Sequence, residues 1–355
     1  MKKRYYFMDV IRLIAMLGIV YYHMVFALYQ TGIRQLESVA PLFQNSNMHI
    51  AKISVGLFFM ISGAGLMLST KDKEHLDLKK YYLKRFVRVL VPFYLVYLLY
   101  LIIFILLTHE PLSNIYTSGA SPFAIIFTLL GMDAYLSSFG VATFSLGIGE
   151  WFLGALIIMY IIFPALRLAL LKNKWVSLGV AVIYYIITLV TYPLLPYAAT
   201  NPGFVNFTVK VFDFFLGMFL VLIMDKIPKY ISIALSVPVI LFFVLYPKML
   251  PVNDSLLIVI QILTFFLLFL SLEGVFKRLP KLMKVIAFCC ASSYEFFLVH
   301  HMIVDYITLQ HTGVPFGNFD ILLLFIKEFA VIVLFTILVK LILNVPKLIR
   351  KKKNI

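Results

Sequence analysis

Residues 1–29 read MKKRYYFMDVIRLIAMLGIVYYHMVFALY, and the fold turns on this stretch. Lys2, Lys3 and Arg4 precede an apolar run long enough to cross the hydrocarbon core of a bilayer, which takes about 20 residues. A basic start before an apolar run also opens a secretory signal peptide. This run, however, carries Asp9, Arg12 and His23, and no small-x-small cleavage site follows it. It therefore reads as an uncleaved first transmembrane helix with its basic end in the cytoplasm.

Nine more stretches have the same length and character: 51–69, 86–108, 149–171, 175–196, 204–225, 229–247, 254–272, 282–309 and 319–344. The stretch 121–139 is also apolar, but it holds Gly131 and Asp133 and runs into Gly140, Gly147 and Gly149. It reads as an extra interfacial or re-entrant helix on the outer side. The expectation is an all-α, polytopic membrane protein of about ten transmembrane helices. It forms one membrane-embedded domain over residues 1–355, with no appended soluble domain. Composition agrees. Hydrophobic residues make up 63% and charged residues 13% of the chain, against about 45–50% and 25% in soluble domains. A soluble enzyme, a disordered chain and a disulfide scaffold are excluded. The adjacent Cys289 and Cys290 read as packing residues.

Charge placement sets the topology. With the N-terminus inside, segments 2–4, 71–88, 167–174, 226–229, 277–284 and 347–353 are cytoplasmic and hold 24 of the 31 Lys and Arg. Arg34, Lys52, Lys210 and Lys248 fall at outer segments or outer helix ends. Counting 121–139 as a full span would put the later basic segments on the wrong side, so both termini are expected in the cytoplasm of a plasma-membrane protein. The net charge of +15 is largely this signal plus attraction to anionic lipid. It does not mark a nucleic-acid partner, because little soluble surface remains to form such a face.

Ionisable groups inside a membrane are costly and mark candidate functional positions. Arg12 and His23 are 11 residues apart, about three helical turns, so they share a face with roughly 16 Å between them along the axis. Asp9 lies one turn before Arg12. On residues alone, Arg12 also reads as a snorkelling anchor and His23 as an interhelical hydrogen-bonding group. Arg85 and Arg88 are three apart on one helix face before Pro92, a spacing that suits a phosphate clamp as well as a basic anchor. Ser62, Glu150, Trp151, Tyr294 and His300 are candidate cavity-lining residues. His300 is expected at about the depth of His23. His300 and His301 diverge by about 100° on a helix, and no two histidines have H-x-x-x-H spacing, so no metal is expected. Asp213, Lys327 and Glu328 are further intramembrane charges without an assigned role.

Taken in order, these elements resemble the acyltransferase-3 family of integral membrane acyltransferases. The carriers are Met8-Asp9-Val10-Ile11-Arg12, with Arg12 and His23 separated by ten residues, then Phe58 to Gly63, Arg85 and Arg88 before Pro92, Trp151 to Leu153, and Ser293 to His300. Met8 stands where Leu is usual, and Phe297 where Tyr is common. The resemblance covers about residues 5–345. It implies transfer of an acyl group, usually acetyl, from cytoplasmic acyl-CoA to a hydroxyl or amine of an envelope glycan or lipid-linked sugar. It also implies that this chain, which has no extracytoplasmic esterase-like domain, acts alone or as a homo-oligomer, or passes its acyl group to a separate extracytoplasmic partner. Within that frame Arg85 and Arg88 face the acyl-CoA phosphates. His23 is the base or the acyl carrier, and Arg12, oriented by Asp9, holds phosphate or pantetheine along the path. The competing class is a secondary transporter or flippase for a glycan precursor, which also suits ten spans and a central histidine. Such a protein has no particular need of Arg-x-x-Arg in a cytoplasmic segment.

Overall fold

The computed structural model describes residues 4–30, 49–108, 120–137, 139–144, 146, 148–194, 206–246, 250, 252–310 and 317–353. Among the described residues the secondary structure is helical, with no strand. The longer helices are α1 (Tyr6–Gln30), α2 (Ile50–Thr70), α3 (Leu78–Thr108), α4 (Glu150–Lys172), α5 (Lys174–Thr191), α6 (Phe207–Leu220), α7 (Lys229–Leu245), α8 (Asp254–Ser271), α9 (Pro280–Cys290), α10 (Ser293–Leu309) and α11 (Asn318–Lys353).

Over the described residues each of the ten expected segments contains a helix, and the differences lie in length and continuity. Among the described residues, seven helices (α1, α2, α3, α4, α5, α8 and α11) are long and apolar enough to cross a bilayer. The pair α9 and α10 passes as an eighth, broken span in place of the continuous 282–309 helix. The break falls at Ala291–Ser292, and the Lys340 ammonium of α11 donates to Ser292 Oγ at 2.6 Å. α6 has only 14 residues, about 21 Å at 1.5 Å per residue. The Asn206 side chain caps its start by accepting from Thr208 N–H, and the chain turns out of the helix after Leu220. α7 has 17 residues and begins only after Pro228. The 121–139 stretch is not a span. It is three short helices, Pro122–Ala124, Ile125–Leu129 and Asp133–Ser137. The turn between the last two uses Gly131 at φ 67°, and its Cα lies so close to Leu153 and Ile157 of α4 that a Cβ would sit 2.9 and 3.0 Å from them.

The contacts divide the chain into two units. The first holds residues 1–22, 40–81 and 158–291; the second holds 23–39, 82–157 and 292–355. The first unit is built around α6, which is buried over most of its length. α2 approaches it backbone to backbone at two glycines. A Cβ on Gly63 would sit 2.1 Å from Phe214 O, and one on Gly217 would sit 1.8 Å from Met60 O. Such small-residue contacts are how helices pack when lipid removes the hydrophobic incentive to associate. In the second unit α10 is tied to α11 through Thr308 Oγ1, which donates to Glu328 Oε1 at 2.7 Å, and through the Phe296–Phe329 ring pair at 5.6 Å. It is tied to α3 through Tyr294, whose hydroxyl donates to Val89 O at 3.0 Å.

Candidate active site

The second unit gathers three imidazoles. The ring of His23, on the last part of α1, lies 5.1 Å from that of His300 and 4.4 Å from that of His301, centroid to centroid. His300 and His301 are vicinal on α10 and their rings are 6.1 Å apart, so the His23 ring meets both divergent side chains. His300 is buried, and its Nδ1 contacts the carbonyl of Phe297 one turn back. A carbonyl only accepts, so Nδ1 carries the hydrogen and Nε2 keeps its lone pair. That Nε2 has no hydrogen-bond partner among the described residues. His301 Nδ1 lies 2.9 Å from Asp305 Oδ2, an i,i+4 pair on α10. His23 is only partly buried.

Phe297 forms one wall. Its ring lies 5.2 Å from His300 and 4.6 Å from Phe152, and Trp151 stands edge-on to Phe152 at 6.2 Å. The ring fits against Gly149, where a Cβ would sit 2.7 Å from it. Gly149 also has φ 88°, a conformation that favours glycine. Glycine there thus sets both the entry to α4 and the seat of Phe297. Glu150 opens α4 beside it, and its side chain lies outside the described residues.

Arg85 and Arg88 lie on the part of α3 that precedes Val89. Arg88 is exposed and Arg85 half-buried, so the two guanidiniums are not equally presented to solvent. The Tyr294–Val89 hydrogen bond places the start of α10 beside this turn of α3. From Tyr294 to His300 is six residues along one helix, about 9 Å. Within one unit, then, a basic surface leads along α10 to a cluster of imidazoles.

Asp9, Arg12, Ser62 and Asp213 belong to the first unit, and Lys327 and Glu328 to the second. Asp9 accepts from two guanidiniums: Arg4 at 2.7 Å and Arg12 at 3.4 Å. The closer partner is Arg4, which sequence reasoning had left as a topological charge. Cys290 Sγ donates to Asp9 O at 3.1 Å, while Cys289 is exposed. Ser62 is half-buried on α2. Two basic residues counted with the surface are buried. Arg167, 1% exposed, donates to the carbonyls of Thr70 and Lys73 and so ties down the segment after α2. Lys210, also 1% exposed, donates to Asp213 at 2.8 Å, which accounts for the intramembrane Asp213 as half of an ion pair. Among the described residues, no group of three or more His, Cys, Asp or Glu is arranged to hold a metal ion. Sequence reasoning missed His301 with Asp305, and Gly149 as the seat of Phe297. The i,i+4 His–Asp spacing was the available signal for the first, and the glycine before Glu150-Trp151 for the second.

A family model described as an acyltransferase domain matches residues 5–345, nearly the whole chain. No curated protein matches, and no solved structure matches.

Proposed function

This chain belongs to the acyltransferase-3 family and is a multi-pass membrane acyltransferase, and from that premise we propose that it moves an acetyl group from cytoplasmic acetyl-CoA to a hydroxyl, or an amine, of an envelope glycan or lipid-linked sugar. The observation that carries this reading is the arrangement in the second unit: Arg85 and Arg88 at one end of the α3–α10 contact, and His23, His300 and His301 about 9 Å further along α10. Acyl-CoA is a nucleotide with several phosphate charges, joined by a long thin arm to a thioester. Exposed Arg88 and half-buried Arg85 suit the phosphates. The arm suits a path along α10, and the accessible imidazole suits the thioester end.

In this scheme His23 does the chemistry. As base, it takes the proton of the acceptor hydroxyl while the oxygen attacks the acyl carbon and CoA leaves as thiolate. As carrier, its lone pair attacks first and hands the acyl group on. His300 is fixed as the Nδ1–H tautomer and packs its ring against that of His23. Phe297 and Phe152 make the wall apolar, which keeps water from competing for the acyl group. Arg12 is ion-paired with Asp9 in the first unit and has no step in this scheme.

Nucleotide binding tests the first half of the scheme. Charge-assisted contacts contribute about 1.5–3 kcal/mol each. Arg85→Ala and Arg88→Ala should each weaken acetyl-CoA binding by roughly 10–150-fold, measured by calorimetry on purified protein. An Arg85→Ala/Arg88→Ala protein that is still stabilised by CoA to the wild-type extent in a thermal melt would refute the clamp.

A further inference from the structure

His301 and Asp305 take no chemical step in the scheme above, yet the His301 ring meets that of His23 and is itself paired with Asp305. The His301 ring is the closer of the two that meet His23, at 4.4 Å against 5.1 Å for His300. Its Nδ1 is 2.9 Å from Asp305 Oδ2. An ionised carboxylate only accepts, so Nδ1 carries the hydrogen and Nε2 keeps a lone pair. The two imidazoles that meet His23 therefore differ in what lies behind them. His300 has a neutral peptide carbonyl. His301 has a carboxylate, which holds the ring in one tautomer, as the carboxylate does in a Ser-His-Asp triad. We propose that His301 and Asp305 are positioning residues that form a proton-holding pair for His23. They receive the proton that His23 removes from the acceptor hydroxyl and keep it until it leaves the site. This rests on the reading of His23 as the base of the acyl transfer.

The step balances. The O–H bond of the acceptor breaks and its oxygen bonds the acyl carbon. The C–S bond breaks and sulfur leaves with the electron pair as CoA thiolate. The proton passes from hydroxyl to His23 to His301, where Asp305 balances its charge, and then to water. Thiolate and proton together make up the free thiol. The accessibility of the pair fits this use, because the His301 and Asp305 side chains keep 32% and 45% of their surface. His300, by contrast, is buried. The charged and titratable groups around the pair are His300 on its own helix, His23 on α1, and Lys327 and Glu328 on α11. Glu328 is fully buried, accepts from Thr308, and interacts electrostatically with both Asp305 and Lys327. An i,i+4 His–Asp pair is also an ordinary helix-surface contact. What distinguishes this one is the third ring against the imidazole.

The test uses purified full-length protein in lipid nanodiscs, with radiolabelled acetyl-CoA as donor and water as acceptor, read as CoA thiol released. Asp305→Asn should lower kcat about 10–100-fold, less than the ~100–10,000-fold of losing a general base, with the KM for acetyl-CoA within twofold of wild type. Asp305→Glu should recover most of the loss. Groups that act through one another are non-additive, so in a His23→Ala background Asp305→Asn should lower the residual rate no further. His301→Gln should behave as Asp305→Asn does, and serves in its place if that protein does not fold. The proposal is overturned if Asp305→Asn and His301→Gln keep kcat within twofold of wild type. It is equally overturned if Asp305→Asn costs the same factor with and without His23, which is the signature of a structural role. In both cases a His23→Ala protein that is itself inactive leaves the acyltransfer reading standing. A fully active His23→Ala overturns that reading and the pair together.

Discussion

At His300 the hydrogen-bonding chemistry leaves one tautomer, and at His301 a carboxylate does the same work for the neighbouring ring. His23 and His300 were legible in the sequence because ionisable groups in apolar runs stand out. His301 and Asp305 were not. Vicinal side chains on a helix diverge, and only a third ring brought in by α1 meets both. Lys210 and Asp213 are the reverse case: the i,i+3 spacing was visible, but a lysine at an expected helix end reads as surface until burial is known. Asp133, in the outer stretch, yields a pH prediction. Its side chain is fully buried, with Thr128 Oγ1 3.1 Å from Oδ1. Burial pushes this carboxyl up, against hydrogen bonds from Thr128 and the Phe144 N–H that pull it down. A carboxyl raised in the folded state favours folding most below the unfolded value of about 4 and loses that contribution as pH rises through the folded value. Asp133→Asn carries no such dependence. Thermal melts at pH 4 and pH 7 should show the wild type losing stability relative to the variant as pH rises. Parallel melting curves at the two pH values would contradict the assignment.

Among the helices, the α2–α6 contact is the one whose sequence signal was half visible. Gly63, beside Ser62 and Gly65, belongs to a small-residue run of the kind that allows close backbone approach, but its partner Gly217 lies more than 150 residues on and only folding pairs them. The obstacles a methyl group would meet are backbone atoms, which cannot swing aside as a side-chain end does. Overpacking of this kind costs about 1–3 kcal/mol or more. Gly217→Ala should therefore lower the melting temperature, while Gly179→Ala on α5, whose Cβ would meet nothing within 4 Å, should leave it unchanged or raise it. Equal melting temperatures for the two variants would show that α2 and α6 do not pack at these glycines. The broken α9–α10 pair was not legible. Its apolar run is continuous in composition, and the Ser292–Lys340 hydrogen bond at the break joins positions 48 residues apart. The short α6 had a better signal in Asn206, a helix-capping residue just before it.

For the whole molecule, composition made the all-helical membrane architecture readable, since bilayer thickness acts on sequence directly. The division into two units was not readable, because α1, α3 and α4 each supply residues to both. The arrangement that gives the chain its proposed activity arises only in the folded second unit, where helix spacing turns Arg-x-x-Arg and two distant histidine positions into one path. The most direct test of that account is CoA release from acetyl-CoA by purified wild-type and His23→Ala proteins, compared at equal acetyl-CoA binding. His23→Ala should fold and bind acetyl-CoA as the wild type does, because the proposed scheme holds the nucleotide at Arg85 and Arg88. It should lose about 100–10,000-fold in the rate of thiol release. If the imidazole also carries the acyl group, label should stay on the wild-type protein when acceptor is withheld and be missing from the variant. A His23→Ala protein that binds acetyl-CoA normally and releases CoA at the wild-type rate would contradict the account.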